Sequence, residues 1–97
     1  MYGLITRLTA NPGQREALTE LLVGGLAYRP GCLSYIVALD PQTHDGLWVT
    51  EVWMDEAAHK ASLAMPETKS FTTRGWPMIA TMHDTVVTQP VGGLGLD

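Results

Sequence analysis

Two alternating runs, Cys32 to Asp40 and Leu47 to Trp53, commit the middle of this chain to a β-hairpin, with the loop Pro41 to Gly46 between them closing on Asp45-Gly46. A two-residue period is the mark of a strand, and Asp-Gly between two such runs is a turn signal. The flanks repeat the pattern. Tyr2 to Thr9 reads as a strand, and Asn11-Pro12-Gly13-Gln14 as a helix start, with Asn at the cap, Pro at the first helical position and Gln three residues after the cap. Ala17, Leu18, Leu21, Leu22 and Leu26 then recur at helical spacing. Gly24-Gly25 is expected to weaken the end of that helix, and Arg29-Pro30-Gly31 to stop it. Beyond the hairpin, Asp55 caps a second helix, Pro66 kinks or restarts it, and Phe71 anchors a short further turn. Met82 to Gln89 is the last strand, and "PVGGLGLD" is a glycine-rich tail. The order β-α-β-β-α-β predicts a ferredoxin-like α+β fold: a four-stranded antiparallel sheet with both helices on one face.

The strands are apolar on both faces. Leu33, Tyr35, Val37 and Leu39 oppose Cys32, Ser34, Ile36 and Ala38, while Leu47, Val49 and Trp53 oppose Trp48, Thr50 and Val52. Two helices cover one face of a sheet, so the other is expected to be an interface, formed sheet to sheet in a symmetric homodimer. Mean hydropathy of +0.05 is high for a chain with 16% charged residues and agrees with surplus apolar surface. In the tail, Val91, Leu94 and Leu96 are too apolar to stay in water, and residues 90–97 are expected to pack across the dimer or along a sheet edge.

At 97 residues the chain fits one domain, residues 1–97. A net charge of −4 with six scattered basic residues argues against nucleic acid and against an anionic membrane surface. Cys32 is alone, so no internal disulfide forms and a reducing compartment fits. No run approaches the roughly 18 apolar residues of a membrane span, and "MYGLITRLTANPG" lacks the basic and apolar segments of a signal peptide; the expected location is cytoplasmic.

The candidate chemistry centres on Trp53 and His59. On a helical wheel of about 100° per residue, Glu56, Lys60 and Glu67 form the solvent face, while Ala58, Ala61, Ser62 and Met65 lie opposite. His59 falls on the border, where it either enters a cleft between helix and sheet or points into water. Its unperturbed pKa suits general-base work near neutrality. Trp53, ending a strand beside this helix, reads as core and pocket wall at once. Tyr35 either offers a hydroxyl to a ligand or packs with a wet edge, and Arg74, beside Gly75 and Trp76, either clamps an anionic group or is solvated. Adjacent His83 and Asp84 should point to opposite faces of the last strand. His44 lies in a loop. The three histidines and the single cysteine lack metal-ligand spacing, and Gly92, Gly93 and Gly95 precede no helix that would hold a phosphate.

"PGCLSYIVALDP", "LWVTEVWMDEAAHKASLAMPE" and "RGWPMIATM" resemble the antibiotic biosynthesis monooxygenase (ABM) family, which holds quinol monooxygenases and cofactor-free oxygenases of aromatic polyketides. The most specific pieces are P-G-C-L-S-Y from Pro30 to Tyr35 and E-x-W-x-D from Glu51 to Asp55. The resemblance implies a dimeric α+β barrel and a monooxygenase that needs no metal or flavin, oxidising a small phenol, hydroquinone or polycyclic aromatic with molecular oxygen. On that reading His59 takes or relays the proton, Trp53 walls the ring, and Tyr35 or Arg74 holds an oxygen. The chain also departs from the family pattern. Ser62 stands where many relatives have a helical histidine, Glu67 stands where many have another, and the first strand has no asparagine of the kind found in the haem-degrading branch. The alternatives are a non-catalytic ligand-binding or structural dimer and, more weakly, haem binding or degradation.

Overall fold

The computed structural model describes residues 1–96. Its elements are β1 (Tyr2–Ala10), α1 (Arg15–Leu21) running into a π-helical turn (Leu22–Leu26), β2 (Cys32–Leu39), β3 (Gly46–Trp53), α2 (Glu56–Leu63), α3 (Pro66–Gly75), a 3₁₀ turn (Trp76–Met78) and β4 (Ile79–Thr88). The strands form one sheet in the order β2-β3-β1-β4, every neighbouring pair antiparallel. This is the expected ferredoxin-like architecture.

Register sorts the side chains into rows across the sheet. On the helix-covered face run Leu39–Leu47–Leu8–Met82, Val37–Val49–Thr6–Thr85 and Tyr35–Glu51–Leu4–Val87. Leu18, Leu22 and Leu26 close over this face, forming a core with Leu8, Ala10, Leu47 and Val49. On the opposite face run Ile36–Thr50–Ile5–Val86 and Ala38–Trp48–Arg7. Here Ile36 is 56% exposed and Val86 55%. Arg7 stands 5.8 Å over the Trp48 ring, and its Nε is buried with no hydrogen-bond partner among the described residues. No described helix is long and apolar enough to cross a membrane.

Local details depart from the sequence expectations for identifiable reasons. Asn11 does not cap α1. Gly13, at φ 79°, turns the chain first, and the Asn11 side chain instead donates to the Pro77 carbonyl at 2.7 Å. Gly24 and Gly25 do not end the helix either; the chain continues through them as a π turn. A Cβ on Gly25 would collide with the Phe71 ring, so glycine here permits close approach of this turn to α3. Pro66 sits in the first turn of a ten-residue helix rather than a short turn, as its fixed φ and missing N–H allow. Asp55 does cap α2, accepting from the Ala58 N–H at 2.7 Å.

Three irregularities interrupt strict alternation, one of them leaving Ala80 as an extra residue between the pairs Thr9–Thr81 and Ala10–Ile79. Leu33 is an extra residue between the pairs Cys32–Trp53 and Ser34–Val52. In β4, His83 and Asp84 together oppose Arg7, because Thr85 pairs with Thr6 and Met82 with Leu8. His83 and Asp84 therefore share a bulge instead of alternating cleanly, and His83 Nε2 lies 2.8 Å from Thr9 Oγ1.

The two helical glycines give a paired test. Gly25→Ala should destabilise the fold by about 1–3 kcal/mol through overpacking against Phe71. Gly24→Ala, with nothing within 4 Å of the added methyl, should stabilise it by about 0.5–1 kcal/mol. Urea unfolding of both variants checks the assignment, and equal effects at the two positions would contradict it.

Candidate active site

Between the sheet and all three α-helices lies a cavity of about 210 Å³. Most of its wall is apolar, with Leu8, Leu22, Leu26, Val49 and Phe71 among the lining residues. Its polar members include Arg29, Tyr35, Glu51 and His59, which converge from four different segments. Register brings Tyr35 and Glu51 side by side on neighbouring strands, both on the helix-covered face. The cap at Asp55 starts α2 at the angle that brings His59 back over Trp53.

Trp53 organises this group. It is fully buried, and its Nε1 donates to Glu51 Oε1 at 3.0 Å. The Arg29 guanidinium lies 4.8 Å from the Trp53 ring centroid, and the His59 ring lies 5.2 Å from it at an interplanar angle of 59°. Tyr2 approaches His59 at 5.6 Å between centroids. Trp53 thus backs the site and holds its polar residues, while Arg29, Glu51 and His59 form the wall itself.

Arg29 binds four elements at once. Nε donates to the Leu26 carbonyl at 2.9 Å, Nη1 donates to Ser62 Oγ at 3.2 Å, and Nη2 faces Glu51 Oε1 at 3.7 Å. The same guanidinium lies 5.8 Å from the Tyr35 ring centroid. Ser62 is buried, and its hydroxyl is doubly used, since it also donates to the His59 carbonyl at 2.7 Å.

Burial sets the protonation states. Desolvation pushes the His59 pKa below its ordinary value; Glu51 acts against that shift, and Arg29 adds to it. His59 is therefore a neutral imidazole with a free base function at neutral pH. Burial, reinforced by the Glu51 carboxylate, raises the Tyr35 pKa far above the ordinary phenol range, so its hydroxyl stays protonated. The cavity thus presents a neutral base and a neutral hydroxyl donor beside an ion pair.

The structure brings Tyr35, Trp53 and His59 together and sets Arg74 apart. Arg74 stands 4.4 Å over the Phe71 ring and lines a shallower groove with Ala17 and Glu20. Cys32 has its thiol pKa raised, chiefly by burial, and its Sγ is 3.5 Å from the Ser34 carbonyl. Among the described residues, no three His, Cys, Asp or Glu side chains gather as a metal site would require. Two site residues escaped the sequence reading. Glu51 left a signal, since it occupies a core-face position between Val49 and Trp53 where an apolar residue belongs. Arg29 left none, because its place depends on how the loop before β2 folds back.

Fold and cavity together define a small α+β domain of the monooxygenase-like or small-molecule-binding kind. The model of the Antibiotic biosynthesis monooxygenase family matches residues 1–74, and the chain belongs to that family. A crystal structure of a Chloroflexus aurantiacus protein described under the same family name is 48% identical, with 99% of this chain and 98% of that one covered and a TM-score of 0.94. A Deinococcus radiodurans structure described in the same way is 21% identical over 97% and 96% of the two chains, at a TM-score of 0.79. A Pseudomonas aeruginosa structure is 23% identical over 94% of each chain, at a TM-score of 0.78. The latter two likenesses concern the fold alone. Comparison with curated proteins gave no match.

The depressed His59 pKa has a measurable consequence. The unfolded chain takes up the imidazole proton near pH 6.5, before the native state does. Its contribution to stability is therefore present above that pH and is lost as pH falls through the native value. NMR titration should place His59 below about 6.5, and urea stability should fall less on acidification in His59→Ala than in the wild type. A His59 titrating at or above the ordinary value would refute the burial argument.

Proposed function

We propose that the protein is a monooxygenase that uses no metal or flavin and oxidises a small phenol or hydroquinone with molecular oxygen. The observation that carries this reading is the neutral His59 imidazole on the wall of a mostly apolar cavity that a protonated Tyr35 also lines. A phenol entering the cavity transfers its proton to His59, and the resulting phenolate is the electron donor to oxygen. Tyr35 and Arg29 offer donors to the oxygen anions that develop, as electrostatic stabilisation requires. The substrate supplies all the electrons: a hydroquinone and one O₂ give a hydroxyquinone and one water, so no outside reductant is needed. The cavity also limits size. An apolar cavity of about 150 Å³ holds benzene, so about 210 Å³ favours one or two rings over larger polycyclic substrates and weighs against a haem. Arg74, outside this cavity, is assigned an anion contact only for a substrate group that extends toward Phe71.

The same reading includes a homodimer in the cytoplasm. Its support is the Ile36–Thr50–Ile5–Val86 row, exposed at Ile36 and Val86, together with Arg7, whose buried Nε has no acceptor among the described residues. A second copy laid on this face covers the row and provides acceptors. Such a permanent interface buries on the order of 2,000 Å² or more. Val91 is 94% exposed and Leu94 wholly so, and the tail from residue 90 packs on the second copy; Asp97 lies outside the described residues. Sedimentation at micromolar concentration should give a dimer, and deleting residues 90–97 should lower thermal stability or weaken dimerisation. A 10.5 kDa monomer, or a deletion without effect, would overturn the corresponding part.

A second reading, a ligand-binding or structural dimer without turnover, is favoured by one observation. Ser62, one helical turn after His59, spends its hydroxyl on Arg29 and the His59 carbonyl, so it adds no acid–base group. Oxygen uptake decides between the two. Metal-free protein with a one- or two-ring hydroquinone should consume oxygen at a rate that rises with pH through the depressed His59 pKa. His59→Ala should slow it by about 10²-fold or more. No uptake across a panel of such substrates would leave the second reading.

A further inference from the structure

The Glu51 carboxylate occupies a position that ordinary packing does not explain. It sits in the core-face row Tyr35–Glu51–Leu4–Val87, on the wall of the cavity, with its side chain only 12% exposed. Its known contacts fall on one oxygen: Oε1 accepts from Trp53 Nε1 at 3.0 Å and faces Arg29 at 3.7 Å. Oε2 has no hydrogen-bond partner among the described residues. Solvent reaches Oε2 in the free cavity, and a ligand that displaces that solvent without offering a donor leaves the carboxylate unpaired.

We propose that Glu51 is a specificity-determining residue of this cavity, whose unengaged oxygen accepts a hydrogen bond from a hydroxyl group on the bound ring. The other cavity groups explain why this task falls to Glu51. Arg29 has donors only, so it favours an oxygen that carries no proton. Tyr35 can accept, but a neutral hydroxyl is a weaker acceptor than a carboxylate. His59 can accept too, but its ring is packed against Trp53 and Tyr2 and is uncharged, whereas the carboxylate is the stronger acceptor for a hydroxyl before any transfer. Glu51 is held at Oε1 by one hydrogen bond from Trp53 and by the ion pair with Arg29, which sets the direction of Oε2. The cavity then selects rings that carry a hydroxyl and rejects their ethers and hydrocarbons, because a ligand without a donor leaves the carboxylate unpaired. Discrimination of this kind, built on a buried polar group, exceeds what a hydrophobic wall achieves by shape.

This inference rests on the cavity being the ligand site, and the test separates the two claims. Calorimetric titration under anaerobic conditions compares 2-naphthol, 2-methoxynaphthalene and naphthalene as ligands of the full chain. The wild type should bind 2-naphthol at least about 10-fold more tightly than either of the others, as a hydrogen bond to a charged acceptor implies. Glu51→Gln, with similar shape and no charge, should shrink that ratio to about 3-fold or less on the same scale. His59→Ala should keep the wild-type ratio even where all three affinities fall. Equal binding of the three ligands by the wild type would overturn the inference and leave the cavity as the site. A ratio lost in His59→Ala would assign the recognition to His59 and overturn it too, and this arm remains decisive should Glu51→Gln fail to fold. Failure of all three ligands to bind would remove the proposed site itself, and the inference with it.

Discussion

The Arg29 guanidinium holds this structure together at its most demanding point. It closes the π turn at the Leu26 carbonyl, reaches α2 through Ser62, faces Glu51 on β3 and covers the Trp53 ring. Taking two opposite charges out of water is costly, and their attraction offsets the cost only when further hydrogen bonds satisfy both ions. Trp53 Nε1 and Ser62 Oγ supply such bonds here. Removing any one of these groups leaves another buried and unpaired, which is why they behave as a unit. The wall of the cavity and the seam between α1, α2 and the sheet therefore depend on the same atoms.

That dependence shapes the electrostatics of the cavity. Arg29 and Glu51 act in opposite directions on both His59 and Tyr35, and desolvation is the largest influence on each. Two neutral, proton-carrying or proton-accepting groups therefore stand beside a pair that is close to neutral overall. A site arranged in this way can move a proton without gaining net charge, and that suits an apolar cavity where an isolated charge would be unfavourable.

The order of elements was legible because its signals are local. Alternation marks the strands, Asp55 and Pro66 mark helix starts, and the Asp45-Gly46 turn fixes the hairpin. The details that escaped depend on contacts far apart in the chain. Glycine is needed at position 25 of the π turn because Phe71, on α3, occupies the space a Cβ would fill. Asn11 looked like a cap because nothing nearby indicates that Pro77 will claim its side chain. The bulge at His83 and Asp84 became visible only through the pairing of β4 with β1. The site divides in the same way. His59, Trp53 and Tyr35 could be picked out by residue type and strand or helix face, and Glu51 by its place in the β3 alternation. Arg29 could not, because a loop residue acquires its neighbours only when the whole domain closes.

The position of β1 also determines when this domain can become complete as it is made. β1 leaves the ribosome before the other three strands, yet it lies inside the sheet, between β3 and β4. Thr6 must wait for Val49 and then for Thr85, 79 residues further along the chain. Until β4 emerges, one edge of β1 has no partner and half its backbone groups face water or stray strands. The β2–β3 hairpin and α1 can form early from nearby residues, but the pairing that closes the sheet is long-range and therefore slow. The chain passes through synthesis with a central strand open on one side, and the last ten or so residues of the sheet decide when that exposure ends.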